Sequence, residues 1–188
     1  MFYNSYICAV DIGSNKIAAT VAQIKKGHCQ DLFFEVMPSR GVKEGVIVDA
    51  TELVTCLTKI IKNLKIKSGL KIKSIHTNFS GKDISTKHSH AIIPLAERGN
   101  KVITSTDIAY VNDQARILGS SLDEEIIHVI PSSYTIDSKS NVINPVGLYS
   151  HRLEVDLYLV SARLSSLQSL SRAVSQSGYE IKELSFSG

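Results

Sequence analysis

The stretch Ile7-Cys8-Ala9-Val10-Asp11-Ile12-Gly13-Ser14-Asn15-Lys16-Ile17-Ala18-Ala19-Thr20-Val21-Ala22 decides how the rest of the chain is read. Both ends are apolar, and the second is rich in residues suited to a buried strand. The middle is polar, so the stretch reads as a hairpin turn between two strands. Gly13 lets the backbone come close to a ligand and permits positive φ. Successive N–H groups in such a turn form an anion-binding nest. Ser14 and Asn15 add side-chain donors, and Lys16 adds a point charge for phosphate. Asp11 at the strand end is a hard oxygen ligand suited to a hydrated Mg²⁺. A turn with no ligand carries the same residue types, so D-x-G-x-x-K alone is a weak pattern. It is not a P-loop: it lacks G-x-x-x-x-G-K-[ST] and leads into a strand, not a helix.

Outward from this hairpin, Lys25-Lys26-Gly27-His28 reads as a turn. Leu32, Phe33, Phe34, Val36 and Met37 make a third strand, completing an antiparallel meander. Asp49 caps a helix, with Glu52 three residues on as the other half of a capping box. Leu53, Cys56, Leu57, Ile60, Ile61 and Leu64 follow helical spacing to about Lys65, and Gly69 ends the connection. Ser74 to Phe79 is a strand placed as a βαβ crossover places it.

A second unit begins near Gly81. Ile84 to Ile93 reads as a strand ending at Pro94. Thr104 and Asp107 form another capping box, Ile108, Val111, Ala115 and Leu118 give a helix stripe, and Gly119 stops it. Glu125 to Ile130 and Leu153 to Val160 are strands, separated by the polar, turn-rich segment Ser138 to Ser150. The order is strand, helix, strand, strand. Leu164, Leu167, Leu170 and Val174 then mark a third helix with Gly178 just past its end. Tyr179 to Leu184 is a last strand, and it runs to Phe186-Ser187-Gly188, a small-residue loop after which more domain is expected.

The chain of 188 residues buries a real core, and 43% hydrophobic with 21% charged residues excludes a disordered protein. A net charge of +3 does not argue for nucleic acid. Lys59, Lys62, Lys65, Lys67, Lys71 and Lys73 nevertheless cluster with no acid among them, which reads as a solvated helix face or as a patch for a membrane surface or acidic partner. Cys8, Cys29 and Cys56 have no metal-site spacing, and free thiols suit a reducing cytosol. No signal peptide and no membrane span is visible. His88 and His90 share one strand face but lack a third ligand, so solvated or partner-facing histidines are favoured over a metal pair. His128 reads as a structural strand residue. Ser80-Gly81 and Ser187-Gly188 lack the G-x-S-x-G frame, and no Ser/His/Asp set is present.

Four segments resemble the bacterial cell-division family FtsA. They are Pro38-Ser39-Arg40-Gly41 with Gly45-Val46-Ile47-Val48-Asp49; Ser80-Gly81-Lys82-Asp83-Ile84-Ser85; His128-Val129-Ile130-Pro131 through Tyr134-Thr135-Ile136-Asp137; and Asn144-Pro145-Val146-Gly147-Leu148. The opening hairpin resembles the first phosphate loop of the wider actin, Hsp70 and sugar-kinase superfamily. The resemblance implies an α/β fold: an actin-like, ribonuclease-H-like subdomain 1A (residues 1–81 and 155–188) with an inserted strand-helix-strand-strand (SHS2) subdomain 1C (82–154). It implies ATP with Mg²⁺ as ligand, Asp11 facing the metal through water, and Gly13, Ser14, Asn15 and Lys16 along the β- and γ-phosphates, with Asn15 standing where the family usually has a hydroxyl. Subdomains 2A and 2B, the second phosphate loop, the adenosine motif and a C-terminal amphipathic helix are not in the chain, so a half-site that holds ATP weakly is expected. The implied role is an adaptor, not an enzyme. It self-associates into filaments, binds FtsZ through 2B and other division proteins through residues 82–154, and sits at the cytoplasmic face of the inner membrane. The same fold also serves pilus- or shell-assembly relatives and small-molecule kinases. A kinase needs a base against its substrate hydroxyl, and no candidate stands out.

Overall fold

A computed structural model describes residues 5–26, 28–97 and 99–186, so Gly27 of the expected turn and Ser187-Gly188 lie outside the described residues. In chain order the elements are β1 (Ser5–Ile12), β2 (Lys16–Lys25), β3 (His28–Pro38), β4 (Val42–Lys43), β5 (Val46–Ile47), α1 (Ala50–Ser68) and β6 (Ser74–Phe79). Then come β7 (Ile84–Pro94), β8 (Lys101–Val102), α2 (Ser105–Gly119), β9 (Glu124–Ile136), β10 (Lys139–Val142), β11 (Tyr149–Ser150) and β12 (Arg152–Arg163). The chain closes with α3 (Leu164–Gln176) and β13 (Glu180–Phe186). It divides into two units, residues 1–84 with 163–188, and residues 85–162.

Unit 1 is a five-stranded sheet of order β13-β6-β1-β2-β3. The first three strands form the expected antiparallel meander, while β6 runs parallel to β1 and β13 parallel to β6. This mixed order is the actin-like, ribonuclease-H-like arrangement. Alternation decides which face is buried: Cys8, Val10 and Ile12 of β1 and Ile17, Ala19 and Val21 of β2 all point into the core. The six apolar residues of the α1 stripe are buried, and the leucines and isoleucines among them each contribute about 1.5–3 kcal/mol relative to exposure. Asp49 caps α1 by accepting the Glu52 N–H, but Glu52 does not complete the box; its carboxylate lies 4.0 Å from Arg40. Gly69 ends the helix at φ 69°, its N–H donating to the Lys65 carbonyl. The first turn of α3 has no side-chain cap of its own; the Asp83 carboxylate accepts from Ser166 Oγ at 2.6 Å, placing a negative charge at the helix N-terminus. Gly178 stands at φ 88°, as a residue past a helix end requires.

Unit 2 holds a four-stranded sheet of order β10-β9-β12-β7 with α2, so the strand, helix, strand, strand order read from the sequence is present. Its core is its own: Ala91, Ile93, Ile103, Val111, Ala115, Tyr134, Ile136 and the alternate residues Leu153, Val155, Leu157 and Leu159 of β12. Three expectations are corrected and one is refined. The compact unit spans 85 to 162, so its far boundary lies past the expected 154, because β12 is one continuous strand of this sheet. Leu118 is 70% exposed, so the buried stripe of α2 is Val111 and Ala115 with Ile108 partly covered. α2 ends at Gly119, as read from the sequence, and glycine is required there because a Cβ would come within 2.3 Å of Leu159. Finally, β9 continues through Pro131 to Ile136 and turns back into β10 through Asp137 and Ser138, both at positive φ, as a two-residue hairpin turn requires. Among the described residues no helix is long and apolar enough to cross a membrane.

Candidate phosphate-binding turn

Residues 13–15 link β1 to β2, and the register closes with Ile12 opposite Ile17. Gly13 N–H donates to the Lys16 carbonyl at 3.1 Å, so this amide is spent inside the turn and does not face a ligand. Gly13 also does not use positive φ, contrary to the expectation from its type. Its role is size: a Cβ there would sit 3.0 Å from the Lys16 carbonyl oxygen. The nest is therefore carried by Ser14 and Asn15, whose N–H groups have no acceptor among the described residues. Ser14 Oγ accepts the Gly45 N–H at 2.9 Å, which leaves the hydroxyl proton available to donate. Asn15 and Lys16 are exposed at the tip.

Asp11, at the end of β1, is exposed, and its Oδ1 accepts from Asn78 Nδ2 at 2.6 Å. Asn78 Oδ1 in turn accepts the Ile12 N–H at 2.9 Å. Asn78 lies on β6, beside β1, and so orients the carboxylate and ties the start of the turn. Reading the sequence alone missed Asn78, because its partner lies 67 residues away. The donor set fits a phosphate: two unpaired amides, a hydroxyl and an ammonium, with a carboxylate oriented at the edge for a hydrated Mg²⁺.

Behind the turn, Gly45 and Gly81 pack backbone to backbone. A Cβ on Gly45 would lie 2.5 Å from both Gly81 Cα and the Ser80 carbonyl oxygen, and one on Gly81 would lie 2.5 Å from the Glu44 carbonyl oxygen. The Ser80-Gly81 step is thus a packing device, not a nucleophile turn. The small, partly open cavity here, lined in part by Ile12, Gly45, Asn78 and Ser169, is about 50 Å³. That is far below the roughly 300–1,000 Å³ of a ligand pocket. A larger, more open groove of about 320 Å³ runs along Ala9, Val10, Asp11, His76, Asn78 and Ser185, and none of Ser14, Asn15 or Lys16 lines it.

The other singled-out residues lie elsewhere. Cys8 is buried and its thiol is pushed up to about 11 by that burial, while Cys56 is also buried; both are core residues. His88 and His90 on β7 meet carboxylates of β12: His88 Nε2 is 3.3 Å and His90 Nδ1 3.0 Å from Asp156 Oδ1. Among the described residues no group of three or more His, Cys, Asp or Glu is placed to hold a metal ion.

Residues 81–161 match the family described as the SHS2 domain inserted in FTSA. The chain is 27% identical over 179 residues to the cell division protein FtsA of Pseudomonas aeruginosa, covering 95% of this chain and 42% of that protein. It is 27% identical over 183 residues to FtsA of Escherichia coli K12, covering 97% and 43%. FtsA of Borreliella burgdorferi is 26% identical over 179 residues. The chain thus spans about two fifths of the length of the curated relatives it matches. Among solved structures, a chain of a PilM-PilN type IV pilus biogenesis complex superposes over 98% of this chain and 48% of its own length, with a TM-score of 0.53 at 14% identity, a likeness of fold.

Proposed function

Because the chain is a relative of FtsA and carries the SHS2 insert of that family, we propose that it acts in bacterial cell division as an actin-like adaptor and not as an enzyme. The observation that carries this reading is the insert: an SHS2 domain between β6 and α3 of a sheet whose first hairpin presents an anion cradle. In this reading the cradle is one half of an ATP site. Ser14, Asn15 and Lys16 hold the β- and γ-phosphates, and Asp11, oriented by Asn78, faces Mg²⁺ through water. The bound metal ion neutralises phosphate charge. The purine pocket and the opposing phosphate loop come from residues outside these 188. By the same resemblance, filaments form by self-association, the insert meets other division proteins, FtsZ is held through subdomain 2B, and a C-terminal amphipathic helix reaches the cytoplasmic face of the inner membrane.

Calorimetric titration with Mg-ATP tests the nucleotide half of this reading. The 188-residue chain is expected to bind weakly or not at all, because good sites bury about 70–90% of a ligand's surface and the resemblance puts the purine pocket and opposing phosphate loop outside these residues. A version of the protein extended to the length of the FtsA relatives is expected to bind tightly, and to lose at least tenfold in affinity on Lys16→Ala. Micromolar binding by the 188 residues alone, or an extended protein indifferent to Lys16→Ala, overturns it.

A further inference from the structure

We propose that the outer face of α1, from Lys59 to Ile66, together with Lys71 and Lys73, docks on an anionic lipid bilayer. No Asp or Glu occurs between residues 53 and 74. At about 100° per residue, Lys59, Lys62 and Ile66 fall within roughly 60° of one another around the helix, opposite the buried stripe. Lys59, Lys62, Lys71 and Lys73 are all exposed, and among the described residues none of these four side chains has a partner. That sets them apart from Lys82, Lys87 and Lys101, each within 4.0 Å of a carboxylate, and from Lys67, which pairs with Glu35. Lys65 is accounted for as well: its ammonium stands 4.5 Å above the Tyr179 ring.

The helix dipole explains cations in the last turn of α1, where Lys65 and Lys67 lie. It does not explain Lys59 and Lys62, which lie further back, and neighbouring like charges on a helix are mildly destabilising. Ile66 sharpens the point: it is 73% exposed, one turn from Lys62 and amid the lysines. Ammonium groups around an exposed aliphatic side chain are the arrangement of an interfacial helix, with cations at the headgroups and the apolar group at the acyl boundary. A nucleic acid fits less well. The face has no arginine fork; of the aromatic rings beside it, Tyr179 is buried under Lys65 and half-buried Tyr6 is held by accepting the Lys73 N–H at 2.6 Å, so neither is a free stacking platform. This inference uses unit 1 alone and does not depend on the proposed nucleotide site.

The test is flotation of the 188-residue chain with vesicles of equal parts phosphatidylglycerol and phosphatidylcholine, against vesicles of phosphatidylcholine alone. Binding to the anionic vesicles at low salt, lost at high salt and absent with phosphatidylcholine, is expected. Each lysine near such a surface is worth about fivefold in partitioning, so Lys59→Gln with Lys62→Gln should weaken binding about twenty-five-fold. Ile66→Ser should weaken it severalfold. Lys139→Gln, an exposed lysine of unit 2, should leave it unchanged. Thermal unfolding by circular dichroism should match the parent for every variant, since all these positions face solvent. Four results overturn the proposal: no binding to anionic vesicles, equal binding to neutral ones, indifference to the Lys59/Lys62 pair, or a Lys139 effect of the same size. Duplex DNA bound through the same lysines as tightly as the vesicles overturns it too, showing a general polyanion patch.

Discussion

Gly45 and Gly81 stand at φ 75° and 106°, each with the other's backbone where a side chain would be. Alanine at either position combines left-handed strain with a 2.5 Å contact against backbone, which cannot rotate away. Gly81→Ala is therefore expected to cost about 2 kcal/mol or more in unit 1, read by urea unfolding. A loss under about 0.5 kcal/mol would show that the two loops separate easily. Lys16→Ala is the opposite case. Its side chain is exposed, so unfolding of the 188 residues should shift by no more than about 0.5 kcal/mol. A large fall in melting temperature would make Lys16 structural. Asp11, Ser14, Asn15 and Lys16 were legible as a cluster because one turn holds them. The spent amide of Gly13 and the bridge from Asn78 were not, because both are set by pairing across the sheet.

Among the elements, α2 depends on its cap. Thr104 Oγ1 accepts the Asp107 N–H while Asp107 accepts the Thr104 N–H, closing the box read from the sequence. The Thr104 hydroxyl, then Lys101, hold the Asp107 carboxyl down at about 2. A carboxylate depressed on folding stabilises above its unfolded value near 4, and that contribution disappears as pH falls through about 2. Unfolding followed between pH 5 and pH 2 should show the loss, smaller in Thr104→Ala, which itself costs about 1 kcal/mol at neutral pH. An Asp107 resonance titrating at its ordinary value would remove the basis for this. Both helix caps, Asp49 and Thr104, were readable because capping is local in sequence. The course of β9 beyond Pro131 was not, because proline reads as a strand breaker and only tertiary pairing carries the strand past it. Leu118 misled for a similar reason: helical spacing marks a stripe, but which end of the stripe is covered is set by tertiary packing, and Leu118 is left 70% exposed.

At the scale of the whole molecule, the chain enters and leaves unit 2 through neighbouring strand ends: Arg163 N–H donates to the Asp83 carbonyl at 3.0 Å, and β7 and β12 are adjacent in the sheet. An insertion with adjacent ends closes no long loop in its host, and it can be lifted out with little strain. Unit 2 also carries its own buried cluster, drawn from β7, α2, β9 and β12. Residues 85–162 expressed alone are therefore expected to fold, with dispersed amide resonances and one cooperative urea transition. The size is marginal for a single core, so a modest stability is expected and single losses should be decisive. Leu157 is fully buried at the centre of β12, and Leu157→Ala should cost about 2–5 kcal/mol, enough to unfold most of the isolated unit. Ile130→Ala, at a half-exposed position of β9, should leave it folded. A collapsed spectrum for the unmutated 85–162 would sink the idea and would mean that the insert needs its host to hold its strands in register. Equal tolerance of both substitutions would mean that the cluster around β12 is not what holds the unit together.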